Sequence, residues 1–206
     1  MTVEVVDALR QARERTLGLV DGLPDAELER VHSRLMSPLV WDLGHIAAFE
    51  DLWLVHRFGG EPMVRRDLAD VYDAFETPRA ARGDVPLLDG HEARAYLDAV
   101  RERALAVLDR VDLGPGGGPL NAGGYVWRMV AQHEQQHDET MLATHQLRSG
   151  APVLQAPPPP SARPPAVREV LVPGGPFTMG TSTEPWALDN ERPAHVVDVP
   201  AFVIDT

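Results

Sequence analysis

The reading of one stretch decides the fold: NAGGYVWRMVAQHEQQHDETMLATHQLR, residues 121–148. Asn121 can cap a helix that reaches roughly Arg148, where Ser149-Gly150 stops it. Val126, Met129/Val130, Thr140/Met141 and Thr144 recur at helical spacing, so one face of this helix points inward. His133 and His137 lie on that face. At i and i+4 they sit one turn apart, close enough to share one metal ion.

Three further amphipathic helices precede it. In the first, Val6, Leu9, Arg13, Thr16, Leu17 and Val20 lie along one side, and Asp21-Gly22 ends it. Ser37-Pro38 starts the second, with the serine as cap and the proline in the first turn. Its inward stripe is Trp41, His45, Ala48/Phe49 and Leu52, and it ends before Gly59-Gly60. After a long connection with Pro62, Pro78 and Pro86, the third helix runs from about His91 to Val111. The run Gly114-Pro115-Gly116-Gly117-Gly118-Pro119 breaks it. Helices of this length with one long crossover predict a mainly α fold, a four-helix bundle over residues 1–150.

Of the 19 prolines, a dense group falls in APVLQAPPPPSARPPA, residues 151–166. Proline fixes φ and removes backbone donors, so residues 151–167 read as an extended, semi-rigid linker. Beyond it the apolar pattern alternates. Val170-Leu171-Val172 and Phe177-Thr178-Met179 flank Pro173-Gly174-Gly175-Pro176 as strand, turn and strand, and His195 to Ile204 is a third candidate strand. Three short strands cannot bury a core of their own. Residues 168–206 are therefore expected to be the beginning of a larger α+β domain.

Composition narrows the function. The 206 residues carry 19 basic and 31 acidic side chains, a formal charge of −12, which argues against nucleic acid or an anionic membrane as partner. With 44% hydrophobic and 24% charged residues the chain is globular in composition. It has no cysteine, so disulfides and thiolate metal sites are excluded and any metal must rest on His, Asp or Glu. No signal peptide is visible, and no apolar run approaches the ~20 residues that span a bilayer. The cytoplasm is the default location.

The histidines are the sharpest chemical feature. A lone histidine on an apolar helical face is usually a packing or surface residue, and HxxxH also arises on polar faces. His45 on the second helix adds a third imidazole to His133 and His137, and three converging from two helices would leave other coordination positions open. Spacing alone does not show that those helices are neighbours. His32, His56, His91 and His145 have no comparable partner and are expected to face solvent. The string His133-Glu134-Gln135-Gln136-His137 also matches the zinc-protease motif HExxH. The extended form of that motif needs Gly and His where this chain has Thr140 and Ala143, and no suitable downstream ligand precedes the linker. Glu134, about 100° from His133 on the wheel, reads as a solvated or supporting carboxylate.

Trp41-Asp42-Leu43-Gly44-His45 and His133-Glu134-Gln135-Gln136-His137-Asp138-Glu139-Thr140-Met141 resemble the metal-binding motifs of the hercynine oxygenase family, the iron(II)-dependent sulfoxide synthases of ergothioneine biosynthesis. Their N-terminal domain is a DinB-like four-helix bundle. The tail, Val172-Pro173-Gly174-Gly175-Pro176-Phe177-Thr178-Met179-Gly180 with Asp189-Asn190-Glu191-Arg192-Pro193-Ala194-His195, resembles the opening of their second domain, which is like the formylglycine-generating enzyme, a sulfatase-modifying factor.

The resemblance implies Fe2+ held by His45, His133 and His137. Gln136 matches a position beside hercynine. Arg82 matches one that binds the carboxylate of the thiol substrate, γ-glutamylcysteine or cysteine. Dioxygen is the co-substrate. Trp41 and Asp42 read as packing and support. The catalytic acid, a tyrosine in the family, is expected beyond Thr206, so the chain is expected to be a truncated member that does not turn over alone. Imidazole ligation by itself suits zinc or nickel equally. A DinB-like, metal- and thiol-dependent transferase and a non-catalytic metal-binding fragment remain as alternatives.

Overall fold

A computed structural model describes residues 2–114, 118, 120–158, 161 and 167–206. Parts of the glycine–proline break before the fourth long helix, and of the proline-rich linker, lie outside the described residues. The chain divides into two compact units, Met1–Leu154 and Gln155–Thr206.

The first unit is built on four long helices. These are α1 (Thr2–Val20), α3 (Leu39–Glu50), α4 (Gly90–Leu108) and α5 (Tyr125–Leu147), with a single-turn α2 (Asp25–Leu28) between the first two. Helix α1 packs on α5, and α3 packs on both α4 and α5. Side chains close the ring between α1 and α4: Arg13 donates to the Leu97 carbonyl at 3.0 Å and Arg101 to that of Leu9 at 2.8 Å. The second helix of the sequence reading does reach Gly59, but its last part, Asp51–Phe58, is π-helical.

Helix α3 is the central element. Every residue from Leu39 to Glu50 except Phe49 is buried, so the single stripe expected from periodicity is too narrow. The connection between α3 and α4 covers its remaining face. Trp41 Nε1 donates to the Val71 carbonyl at 3.3 Å, and the buried Tyr72 hydroxyl accepts from Leu88 N at 2.9 Å. Gly44 permits this closure. A Cβ there would lie 2.2 Å from the Tyr72 ring, so only glycine admits the aromatic against the helix.

Helix ends depart from expectation where tertiary partners compete for the capping side chain. Ser37 does not cap α3. Its hydroxyl instead accepts from Arg82 at 2.9 Å, and Pro38 occupies the cap position. Asn121 donates to the Asp112 carbonyl, and a 3-10 turn, Ala122–Gly124, separates it from α5. Helix α4 starts at Gly90 behind a capping box of Asp89 and Glu92, and stops at Leu108, short of Val111. His32 and His145, expected in solvent, are part-buried and bond to the carbonyls of Glu27 and Leu19, each at 2.8 Å. His56 and His91 are exposed.

The second unit holds two antiparallel strand pairs. Strands β1 (Glu169–Val172) and β4 (Phe202–Asp205) pair with Val170 opposite Ile204; β2 (Gly175–Met179) and β3 (His195–Val199) pair with Phe177 opposite Val197. The third candidate strand is thus two, divided at Pro200-Ala201, because proline cannot donate to a ladder. Leu171, Phe177, Val196 and Val203 are exposed, as expected of two-stranded sheets without a second layer. Among the described residues, no helix is long and apolar enough to cross a membrane.

Candidate metal centre

His45 on α3 and His133 and His137 on α5 converge. One ring nitrogen from each lies within 4.8 Å of the others. His45 Nε2 and His133 Nε2 stand 3.1 Å apart, and the three ring centroids are separated by 4.6 to 5.0 Å. The α3–α5 contact brings the two sequence motifs together, the step that spacing left open.

Two of the rings are held from behind. His45 Nδ1 donates to the Tyr72 carbonyl at 2.6 Å. His137 Nδ1 donates to Asp42 Oδ1 at 2.8 Å. These bonds place the proton on Nδ1 and leave the Nε2 lone pair for the centre, the usual arrangement behind a metal-binding histidine. His133 stacks on Phe49 with centroids 3.6 Å apart, and His45 stacks on Trp41 at 4.7 Å. Burial, reinforced by the neighbouring imidazoles, pushes His45 down to about 4 and His133 down to about 2. Both are therefore neutral at pH 7, the protonation state a metal needs.

The residues fit a divalent cation on a further count. Asp42 is fully buried, and its Oδ2 has no hydrogen-bond partner among the described residues. A buried carboxylate calls for positive charge nearby, which a cation on His137 would add to that of Arg82. Three imidazoles without a thiolate or carboxylate suit iron, zinc or nickel.

The two residues assigned to substrate stand elsewhere. Arg82 is buried, donating to the Thr77 carbonyl at 3.1 Å and to Ser37 Oγ at 2.9 Å, and its guanidinium lies 3.5 Å over the Trp41 ring. It thereby braces the indole that stacks on His45. Gln136 is exposed on α5. A cavity of about 560 Å³ reaches His45 and His133, and neither Arg82 nor Gln136 lines it.

A second polar cluster escaped the sequence reading. Glu134 is neither solvated nor beside the histidines; it is 1% exposed, on the other side of α5. Arg13 reaches Glu134 at 2.7 Å and Glu50 at 2.9 Å, while Arg101 reaches Glu50 at 2.6 Å and Glu134 at 3.1 Å. Thr16 adds bonds to Glu134 and Asp138 at 3.0 and 2.8 Å. This network ties all four long helices together. Its signal in the sequence was Arg13, with Thr16, in the otherwise apolar stripe of α1. Tyr72, whose backbone orients His45, lies in the long connection and carried none.

Comparison with known proteins agrees with this architecture. The family model of the DinB superfamily matches residues 8–141, and that of the sulfatase-modifying factor enzyme 1-like domain matches residues 154–206. The chain is 49% identical over 208 residues to a hercynine oxygenase of Mycolicibacterium smegmatis, covering 97% of this chain and 46% of the relative. It is 49% identical over 212 residues to a hercynine oxygenase of Mycolicibacterium thermoresistibile, covering 98% and 45%. For one of Mycobacterium tuberculosis the identity is 48% over 207 residues, covering 95% and 46%. The chain thus spans about half the length of the curated relatives it matches. With a DinB match over most of its length and relatives of this kind along nearly all of it, the chain belongs to the DinB superfamily and is a homologue of the hercynine oxygenases.

Proposed function

We propose that this chain provides the metal-bearing part of an iron(II)- and dioxygen-dependent sulfoxide synthase acting in ergothioneine biosynthesis in the cytoplasm. The thiol of γ-glutamylcysteine, or of cysteine, is joined to the imidazole ring of hercynine. A ring C–H and the S–H bond are lost, a C–S bond and a sulfoxide oxygen are gained, and dioxygen supplies that oxygen and is otherwise reduced to water. Residues 1–150 form the metal domain, residues 151–167 the linker, and residues 168–206 part of a second domain.

The observation that carries the reading is the convergence of three oriented imidazoles in the bundle. His45, His133 and His137 would hold the iron, which when bound supplies the redox chemistry of dioxygen activation. Asp42 and the Tyr72 carbonyl fix His137 and His45, and Phe49 and Trp41 stack on His133 and His45. Gln136, next to His137, is the candidate neighbour of hercynine. Arg82 is the candidate for a carboxylate of the thiol substrate, through Nη2, which no hydrogen bond among the described residues engages.

The test is anaerobic loading of the chain with Fe(II), followed by metal analysis. The wild type is expected to retain iron stoichiometrically, whereas His45→Ala and His137→Ala lose it without losing helical circular dichroism. Unchanged iron content in both variants would overturn the reading, and retention of zinc or nickel to the exclusion of iron would favour the metal- and thiol-dependent transferase.

A further inference from the structure

The π-helical segment Asp51–Phe58 continues α3 directly, so its winding sets which side chains follow His45 along the cavity wall. In a continuous α-helix, at about 100° per residue, His56 would fall within about 20° of His45 and Arg57 about 120° away. A ladder of i→i+5 bonds advances only about 80° per residue, which brings Arg57 to within about 20° of His45 and turns His56 roughly a quarter-turn aside. The side chains follow this arithmetic. His45, Phe49, Trp53 and Arg57 line the cavity, whereas His56 does not and bonds to the Glu61 carbonyl at 2.9 Å. The wider winding exchanges a histidine ring for a permanent cation on the wall of the cavity that reaches the histidine centre.

Arg57 is held ready for a ligand. Its guanidinium lies 4.6 Å over the Trp53 ring, and no carboxylate pairs with it among the described residues. Arg66, on the connection that covers α3, lines the same cavity, and among the described residues its guanidinium makes one hydrogen bond, to the Met63 sulfur at 4.0 Å. An adjoining hollow lined by His56 and Pro62 shares both arginines, which places them at the rim between the two spaces. Asp70 and Asp73 also line the cavity, so both signs of charge are present. In a chain with a formal charge of −12, two guanidiniums in one cavity with no carboxylate partner among the described residues are a specific feature.

We propose that Arg57, positioned by the π-helical segment, and Arg66 form a carboxylate-binding end of the histidine cavity, suited to a small amino-acid-like zwitterion. Two forked guanidiniums match carboxylate oxygens bidentately, and the Trp53 face keeps Arg57 in place without neutralising it. This deepens the function proposed above and rests on the thiol substrate of that reaction entering through the cavity that reaches His45 and His133. The site would take one carboxylate of γ-glutamylcysteine, which carries two carboxylates and one ammonium group, while Arg82 lies outside the cavity.

The probe is γ-glutamylglycine, which keeps those charged groups and lacks the thiol, titrated calorimetrically into the metal-free chain. Its binding does not depend on iron, so failure here is distinguishable from failure of the metal assignment. Wild type is expected to bind it, Arg57→Gln to bind at least about tenfold more weakly, and Arg57→Lys to fall between the two. Arg66→Gln is expected to weaken binding less, and His56→Gln to leave it unchanged. Arg57 is exposed, so these variants are expected to melt with the wild type. No binding by wild type at millimolar probe, equal binding by Arg57→Gln, or an equal loss in His56→Gln would each overturn the proposal.

Discussion

Helix α5 presents two polar clusters on its two sides, and they differ in kind. Towards α3 stand His133 and His137, with His45: one ring nitrogen of each faces the others, and the Nδ1 protons of His45 and His137 are engaged behind their rings. Towards α1 stand Glu134 and Asp138, the former locked between Arg13 and Arg101 with Glu50 completing the set. At the heart of this cluster four charges form a closed set, Arg13 and Arg101 against Glu50 and Glu134, with their ion pairs made within the bundle. The histidine cluster is open, since its best acceptors point at each other. A buried polar group left facing another of its kind signals a missing ligand, whereas a balanced one signals architecture.

This contrast can be broken first from the charged side. Glu134→Ala leaves Arg13 and Arg101 facing only Glu50, and removing one partner from a buried ionic network costs about 3–5 kcal/mol. Thermal melting of the variant should show this loss while iron stoichiometry in the folded fraction stays that of the wild type. A loss of iron with unchanged stability would mean that the two clusters are not separate.

The next effect belongs to the histidine side. His45, at about 4, and His133, at about 2, lie below the ordinary histidine value near 6.5, so they favour the folded metal-free chain above pH 6.5 and withdraw that support as the pH falls. Asp138 opposes them. Burial raises its carboxyl to about 6, so its penalty in the folded state is relieved on acidification. Together these terms leave a net loss on the order of 2 kcal/mol between pH 7 and pH 5. Melting curves of the metal-free chain should record it, and His133→Phe, which keeps the stack on Phe49, should reduce it. Stability that rises on acidification would contradict the assignment of both rings as neutral and buried.

The smallest expected effect separates orientation from ligation. Asp42→Asn keeps the size of the side chain and weakens the acceptor behind His137, and changes of this kind cost about 10- to 100-fold in metal affinity. Competition with a chelator should place Asp42→Asn between the wild type and His137→Ala. An affinity equal to that of the wild type would show that the bond to His137 is passive.

The helical architecture was legible because it rests on local pattern. The apolar spacing of α1, α4 and α5 survives without knowledge of neighbours, and proline and glycine punctuate it. The second unit was harder to read, since a strand of ten residues and two strands split by Pro200 carry the same alternation. The charge network was barely legible. Arg13, Glu50, Arg101 and Glu134 come from four different helices, and apart from Arg13 in the stripe of α1 each alone looks like a solvated surface residue. Cap residues failed for a related reason. Ser37 and Asn121 had local roles available, but Arg82 and the Asp112 carbonyl offered tertiary ones.

The sequence by itself determined the helical periods, the HxxxH turn, the absence of any thiolate ligand and the resemblance to a family. These are properties of spacing and composition, which are fixed along the chain. Tertiary structure alone decided that α3 lies beside α5, so that His45 meets His133 and His137. It also decided that the Tyr72 carbonyl stands behind His45, and that a π-helical turn brings Arg57 rather than His56 to the cavity. Such pairings depend on packing in three dimensions and on which partner a polar group finds once water is excluded, and a one-dimensional pattern does not carry that information.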